Sequence, residues 1–408
     1  MKKMLRKTAL FVMVAAITAG CTMTVDEFEQ FKSANALTDA EKEAGVFTPE
    51  VMWKMGRVGA PVLSPDGQTV LYTASYYSMK ENKSESALYS MPAEGGEATI
   101  VALNAHYAAW NGDGTRIYYL ANKKDSGMQV WSLDTLTGSK PRQITDIEGG
   151  VEGFGVSAND GMLFYVKGVD VTKVKSSAVY EDMDKSGARI YDDLMVRHWD
   201  YWDEGNYKHI FVAPMPAENN KVTAGEDIME GEPWDAPLAP YFDAEEIAWN
   251  NAGTALAYTC KRLTGAAYAI STDSDIYLYD VATGTTKNIC KPSEEARDVM
   301  PGYDKYPVFS PSDEWIAFRS MRRAGNESDK ERLFIYNTTT EEMRDLTEDF
   351  DYNAANTVWN GNEELYFIAP IEATHQICRV KLTDGEVEVL TSGDHDINAF
   401  TKVGDLIA

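Results

Sequence analysis

The stretch "APVLSPDGQTVLYTA", residues 60–74, is a short apolar strand, a tight turn and a second apolar strand. The same order recurs in "AAWNGDGTRIYYLAN" (108–122), "FGVSANDGMLFYVKG" (154–168), "IAWNNAGTALAYTCK" (247–261), "PVFSPSDEWIAFRSM" (307–321) and "TVWNGNEELYFIAPI" (357–371). The turn positions Asp66, Asp113, Asp160, Ala252, Ser312 and Asn362 are mostly small or polar, with glycine beside most of them, as tight hairpins require. They are spaced by 47, 47, 92, 60 and 50 residues. That is close to the roughly 40–50-residue period of a four-stranded propeller blade, with insertions in the third and fourth units.

Each hairpin is followed by a third alternating strand, as in "SALYSMPA" (86–93) or "ERLFIYNT" (331–338), then a turn and a fourth strand such as "MRDLT". Four antiparallel strands per unit is blade architecture, and blades bury both faces against their neighbours, which accounts for aromatics on nearly every inner strand. The fold class is therefore all-β, a β-propeller of four-stranded antiparallel blades. An all-β sandwich would have to reproduce the same strand and turn order six times by accident. The last nine residues, "FTKVGDLIA" (400–408), align with the openings of earlier blades, Phe400 on Phe309 and Gly404 on Asp313 or Gly67. The expectation is six complete blades and the start of a seventh, so that the propeller, residues 47–408, is truncated in its last blade and belongs to something longer.

At 408 residues and 44% hydrophobic, the chain can bury a large core. Lys+Arg 38 against Asp+Glu 64 gives a net charge of −26, which repels polyphosphate and argues against a nucleic-acid partner. Residues 1–20 have a basic start (Lys2, Lys3, Arg6, Lys7) and an apolar run too short to span a bilayer, so they read as a secretory signal. The ending "TAGC" resembles a bacterial lipobox, which implies lipidation of Cys21, a membrane anchor and a place in the bacterial cell envelope. Ordinary cleavage near Gly20, leaving a plain thiol, is the other reading. Residues 21–46 are polar and acidic, as suits a partly helical tether. Cys260, Cys290 and Cys378 are odd in number; Cys260 and Cys290 could pair, or all three could be buried thiols. No CxxC or His-x-His spacing points to a metal, and no cofactor motif is present.

The 92-residue gap places an insertion at about 170–208, between the second and third strands of blade three. It starts acidic and ends densely aromatic, and loops of that length are usually functional or disordered. Its end, "RHWDYWDEGNYKHIF" (197–211), with the "SPDG" turns and the opening "TPEVMWKMGRVGAPVLSPDG" (48–67), resembles the propeller of prolyl oligopeptidase-family serine peptidases, nearest the dipeptidyl-peptidase V and acylaminoacyl-peptidase types. The resemblance covers nearly all of the chain after residue 46. It implies a propeller that caps a separate α/β-hydrolase domain, restricts entry to short peptides and holds the substrate's amino end.

No Gly-x-Ser-x-Gly elbow occurs in the chain, and none of the five histidines sits beside a candidate nucleophile with a supporting acid. No catalytic residue is carried over, and the chain alone is expected not to be an enzyme. Substrate contacts are expected from the insertion: Arg197, His198, Trp199, Asp200 and Trp202, with Arg197 suited to a carboxylate or carbonyl. Glu181, or Asp182 or Asp184, would meet a peptide's ammonium. The bland alternative is an Arg197–Asp200 ion pair, with the tryptophans packing the loop on the blade. At the level of function the alternative is a non-enzymatic, TolB-like periplasmic binding propeller; a catalytic centre in the axial channel would need more converging histidines.

Overall fold

The computed structural model describes residues 23–291 and 299–408, so the signal segment and the lipidation expectation at Cys21 lie outside the described residues. The chain divides into two compact units, 1–148 and 149–408.

The first unit holds two blades. Blade one comprises Val62–Leu63, Thr69–Ser78, Lys83–Pro92 and Thr99–Leu103, with Arg57–Val58 pairing the far end of its second strand. Blade two comprises Ala105–Trp110, Arg116–Lys123, Gly127–Asp134 and Arg142–Gln143. The polar segment 21–46 does more than tether. Thr24 and Glu27 close a capping box that starts the helix Val25–Ala34. Three residues apart on that helix, Phe28 and Phe31 share a face and are buried. Phe28 packs in a cluster with Ala74, Ala87, Tyr89 and Leu103 of blade one.

The second unit holds four blades. Blade three comprises Gly153–Val156, Met162–Asp170, Asn206–Pro214 and Glu226–Asp227; blade four, Ile247–Trp249, Ala255–Cys260, Asp275–Asp280 and Thr285–Asn288. Blade five runs through Asp304–Phe309, Trp315–Ser320, Arg332–Asn337 and Met343–Asp345, and blade six through Ala355–Asn360, Glu364–Ile371, Thr374–Lys381 and Val387–Val389. The fold is thus a β-propeller of six four-stranded antiparallel blades, followed by a two-stranded hairpin, Lys402–Val403 with Leu406–Ile407.

Apolar cores lie between blades rather than within them, because a single sheet has no interior. Leu71 and Leu88 of blade one meet Ile117, Tyr119 and Trp131 of blade two. Blades three and four share Phe164, Ile210, Leu256, Tyr258 and Tyr279, and the next two seams repeat the arrangement. A polar staple accompanies three seams. The indole N–H of Trp110 donates to the carbonyl of Val62 at 3.3 Å, that of Trp249 to Gly155 at 3.1 Å, and that of Trp359 to Val308 at 3.0 Å. These are the tryptophans of the "WN" units, and each partner lies on the first strand of the preceding blade.

The turns of blades one to five follow one pattern: the fourth residue donates its N–H to the carbonyl of the first, as Gly67 does to Ser64, Gly114 to Asn111, Gly253 to Asn250 and Asp313 to Ser310. In blade three that donor is Asp160, at φ 56°. The turn position equivalent to Asp66 is therefore Asn159, one residue before the position taken from the sequence, and Asp160 fills the left-handed place that glycine fills elsewhere. The C-terminal hairpin also departs from the blade register. Val403 faces Leu406 across Gly404 and Asp405, a tighter loop than the turn between the first two strands of any blade, while Phe400 is buried against Tyr366, Ile368 and Ile377 of blade six.

Cys260, Cys290 and Cys378 are free and buried, which resolves the open pairing in favour of three thiols. No helix among the described residues is long and apolar enough to cross a membrane.

Candidate functional site

The insertion leaves blade three after Asp170 and re-enters it at Asn206. Gly205 ties its neck: the carbonyl accepts the N–H groups of Val171 at 3.0 Å and Thr172 at 3.2 Å, and its own N–H donates to the Asp203 carboxylate at 2.7 Å. With φ 72° and Thr172's carbonyl oxygen 2.1 Å from where a Cβ would stand, only glycine fits. The aromatic part of the insertion folds into a small hairpin, Arg197 opposite Trp202 and His198 opposite Tyr201, with Trp199 at the turn in the left-handed region, φ 47°.

This hairpin forms one wall of a cavity of about 350 Å³, within the range of small-ligand sites. Arg197, His198, Tyr201 and Trp202 line it. The exposed Arg197 guanidinium lies 6.0 Å from the Trp202 ring centroid, and Arg189 approaches the same ring at 5.5 Å. His198 sits edge-on to Trp199 at 5.2 Å and stacks on Tyr201 at 6.0 Å. Trp199 and Asp200 occupy the exposed turn outside the cavity lining, with Trp199 meeting Tyr241 edge-on at 6.0 Å. Glu181, Asp182 and Asp184 are exposed elsewhere in the insertion and do not line the cavity. Among the described residues no Arg197–Asp200 ion pair forms, and Trp199 and Trp202 are 63% and 47% exposed rather than packed onto a blade.

The remaining walls come from residues not among the expected contacts. Asp203 and Glu204 follow the hairpin directly, Asp235 and Phe242 come from the connection between blades three and four, and Tyr268 from the helix Gly265–Ile270 inside blade four. Asp235 accepts the Lys208 N–H at 2.7 Å. Desolvation raises its carboxyl to about 6 despite that bond and the nearby Lys208 charge. Behind it, fully buried His209 is held between the Asp227 carboxylate and the Glu232 carbonyl, both at 2.9 Å. Burial pulls the His209 imidazole down, but Asp227 and Glu232 together leave it above its usual value. Burial also raises the phenols of Tyr207 and Tyr268.

The "WDEG" acids were visible in the sequence as a flank of the aromatic run. Asp235 and Tyr268 had no local signal, because only the packing of blade four against blade three brings them here. Chemically, the Asp203 and Asp235 carboxylates among aromatic rings suit a primary ammonium, by charge and by attraction to ring faces, while Glu204 is already paired with Arg189 at 2.8 Å and the guanidinium of Arg197 suits a carbonyl or carboxylate.

Fold and cavity define the class as a β-propeller whose blade-three insertion walls a small, acidic and aromatic cavity. A scan against models of known protein families finds no match. Dipeptidyl-peptidase 5 of Porphyromonas gingivalis is 36% identical over 364 residues, 88% of this chain and 51% of that protein. Dipeptidyl-peptidase 5 of Porphyromonas endodontalis is 33% identical over 395 residues, 96% of this chain and 55% of that protein. The chain thus spans about half the length of the curated relatives it matches. Among solved structures, acylaminoacyl peptidase of Pyrococcus horikoshii superposes with a TM-score of 0.60 at 17% identity, over 86% of this chain and 48% of that one. The β-propeller domain of the Trilobed protease of Pyrococcus furiosus gives 0.54 at 16% identity, over 87% and 88%. The chain is thus a β-propeller similar along nearly its whole length to about half of two dipeptidyl-peptidase 5 proteins, and its fold is shared with part of acylaminoacyl peptidase.

Proposed function

We propose that the chain is the substrate-gating and substrate-binding propeller of an exported serine dipeptidyl- or oligopeptidase, in which a separate α/β-hydrolase domain supplies the serine, aspartate and histidine of acyl transfer. The observation that carries this reading is the relationship to dipeptidyl-peptidase 5 along nearly the whole chain but only half of that protein. The cavity supports it. Asp235, with Asp203, takes the free ammonium of a short peptide, the rings of Tyr201, Trp202 and Tyr268 exclude water around it, and Arg197 at the wall takes a carbonyl further along the peptide.

The test is titration calorimetry with a dipeptide carrying a free amino group against its N-acetylated form. Binding of the free form at least ten times tighter is expected, and equal affinities overturn the assignment. The chain by itself is expected to leave dipeptidyl and acylated chromogenic substrates intact; turnover would reveal an overlooked nucleophile. An open reading frame running beyond codon 408 into a Gly-x-Ser-x-Gly stretch is expected, and an unrelated gene there overturns the link to a hydrolase. Export and lipid anchoring at Cys21 in the cell envelope belong to the same proposal. Cys21→Ala is expected to move the protein from the membrane fraction to the soluble fraction, and an unchanged distribution overturns the anchor.

A further inference from the structure

One cluster outside the cavity has no place in peptide binding. Among the described residues Asp275, Cys290 and Asp304 are the one group of three whose ligating atoms come together, all within 4.8 Å of one another, and all three residues are buried. They bridge two blades: Asp275 opens the third strand of blade four, Cys290 follows its fourth strand, and Asp304 opens the first strand of blade five. Backbone bonds hold the seam in register, since Asp304 donates its N–H to the Ser274 carbonyl at 3.0 Å and the Ser274 hydroxyl donates to the Asp304 carbonyl at 3.0 Å.

Asp304 is the anomaly. It is 0% exposed, and the polar side chains beside its carboxyl are the Ser320 hydroxyl, likewise 0% exposed, and the Cys290 thiol, neither of which reaches ordinary hydrogen-bond geometry with it. A buried carboxylate in that condition is costly unless something else satisfies it. Asp275 is better served: its Oδ2 accepts from the Asn288 amide at 2.8 Å, and the Lys291 ammonium lies 2.9 Å from its Oδ1 while also pairing with Asp273.

We propose that Asp275, Cys290 and Asp304 form a binding site for one zinc ion, which clamps blade four to blade five. A triangle with 4.8 Å edges has its centre roughly 2.8 Å from each corner. Side-chain shifts below one ångström therefore bring the three atoms to zinc distances of about 2.3 Å for thiolate and 2.0–2.2 Å for carboxylate oxygen. A sulfur with two oxygens selects a borderline-soft ion over magnesium or calcium, which prefer oxygen alone. A water completes four-coordination, and the Ser320 hydroxyl is placed to support the Asp304 oxygen that does not bind the metal.

The exchange balances in charge. The Asp304 carboxyl and the Cys290 thiol each give up a proton on coordinating the metal. Zinc enters as those two protons leave, so the buried net charge does not change. Lys291 works against the metal through Asp275 and limits affinity.

The experiment uses the whole chain, free of metal, titrated with Zn²⁺, Co²⁺ or Mg²⁺. Co²⁺ is expected to bind one per chain and to give a sulfur-to-cobalt charge-transfer absorption. That absorption is lost in Cys290→Ser and kept in Cys260→Ser and Cys378→Ser. Zn²⁺ is expected to raise the melting temperature of the wild type, and Mg²⁺ to leave it unchanged. Asp304→Asn keeps the shape of the buried group and provides a second variant should Cys290→Ser fail to fold; it is expected to lose the zinc-dependent shift. Absence of the cobalt absorption in the wild type, or its survival in either Cys290→Ser or Asp304→Asn, overturns the site. None of these outcomes bears on peptide binding.

Discussion

At the scale of single residues, two buried carboxyls with raised titration give stability a testable dependence on pH. Asp235 titrates at about 6 in the fold against an ordinary 3.8, and desolvation is the main cause. Glu246, whose carboxylate accepts the Leu238 N–H at 2.6 Å, is raised to about 7 from 4.5, again mainly by desolvation. A raised carboxyl binds its proton more tightly folded than unfolded. Its stabilising contribution is complete below the unfolded value and is lost as pH rises through the folded one. Other acids titrate in the opposite sense, so the measurable quantity is a difference between proteins. Relative to the wild type, Asp235→Asn is expected to gain melting temperature between about pH 4 and 6, and Glu246→Gln between about pH 4.5 and 7. Parallel melting curves for variant and wild type would contradict the assignment. The same titration affects the cavity: affinity for a peptide ammonium is expected to rise as pH passes 6, and Asp235→Asn to remove that rise.

At the scale of elements, the neck of the insertion and the tryptophan staples are the sensitive points. Gly205→Ala puts a Cβ against the Thr172 carbonyl in a left-handed backbone, a strain of about 1–3 kcal/mol before the clash is counted. The expected result is weaker peptide binding and faster proteolysis within 171–205, with the six blades intact by circular dichroism. Trp359→Phe removes the bond to the Val308 carbonyl, which keeps its place opposite Ala317 in the strand ladder. A loss of about 0.5–1.5 kcal/mol in urea unfolding is expected, and an unchanged midpoint would show that the staple contributes nothing. These elements also show how far the sequence could be read. The strand-turn-strand pattern located every blade, because alternation and turn chemistry are local. It misplaced the blade-three turn by one residue, because Asp160 adopts a conformation usually left to glycine and so hid the register.

At the scale of the whole molecule, stability resides in the seams between blades and in the N-terminal helix laid on blade one. Phe28 is fully buried there, so Phe28→Ala is expected to cost about 3–5 kcal/mol, measured by urea unfolding. A helix that merely tethers would lose almost nothing. Its sequence looked like a solvated linker because two phenylalanines among acidic residues are a weak periodic signal, and only the apolar cluster of blade one gives them a destination.

The sequence by itself determined the class of fold, the six complete blades, the position of the insertion and the resemblance to peptidase propellers, since all of these rest on repetition and contiguous motifs. Only the tertiary structure decided the cavity and the buried cluster. Arg197, His198 and Trp202 were legible because they stand together in one aromatic run. Asp235 and Tyr268, and likewise Asp304 beside Cys290, are ordinary residues in separate segments. Their chemistry arises from desolvation and from neighbours that blade packing supplies, and neither quantity is written in local sequence.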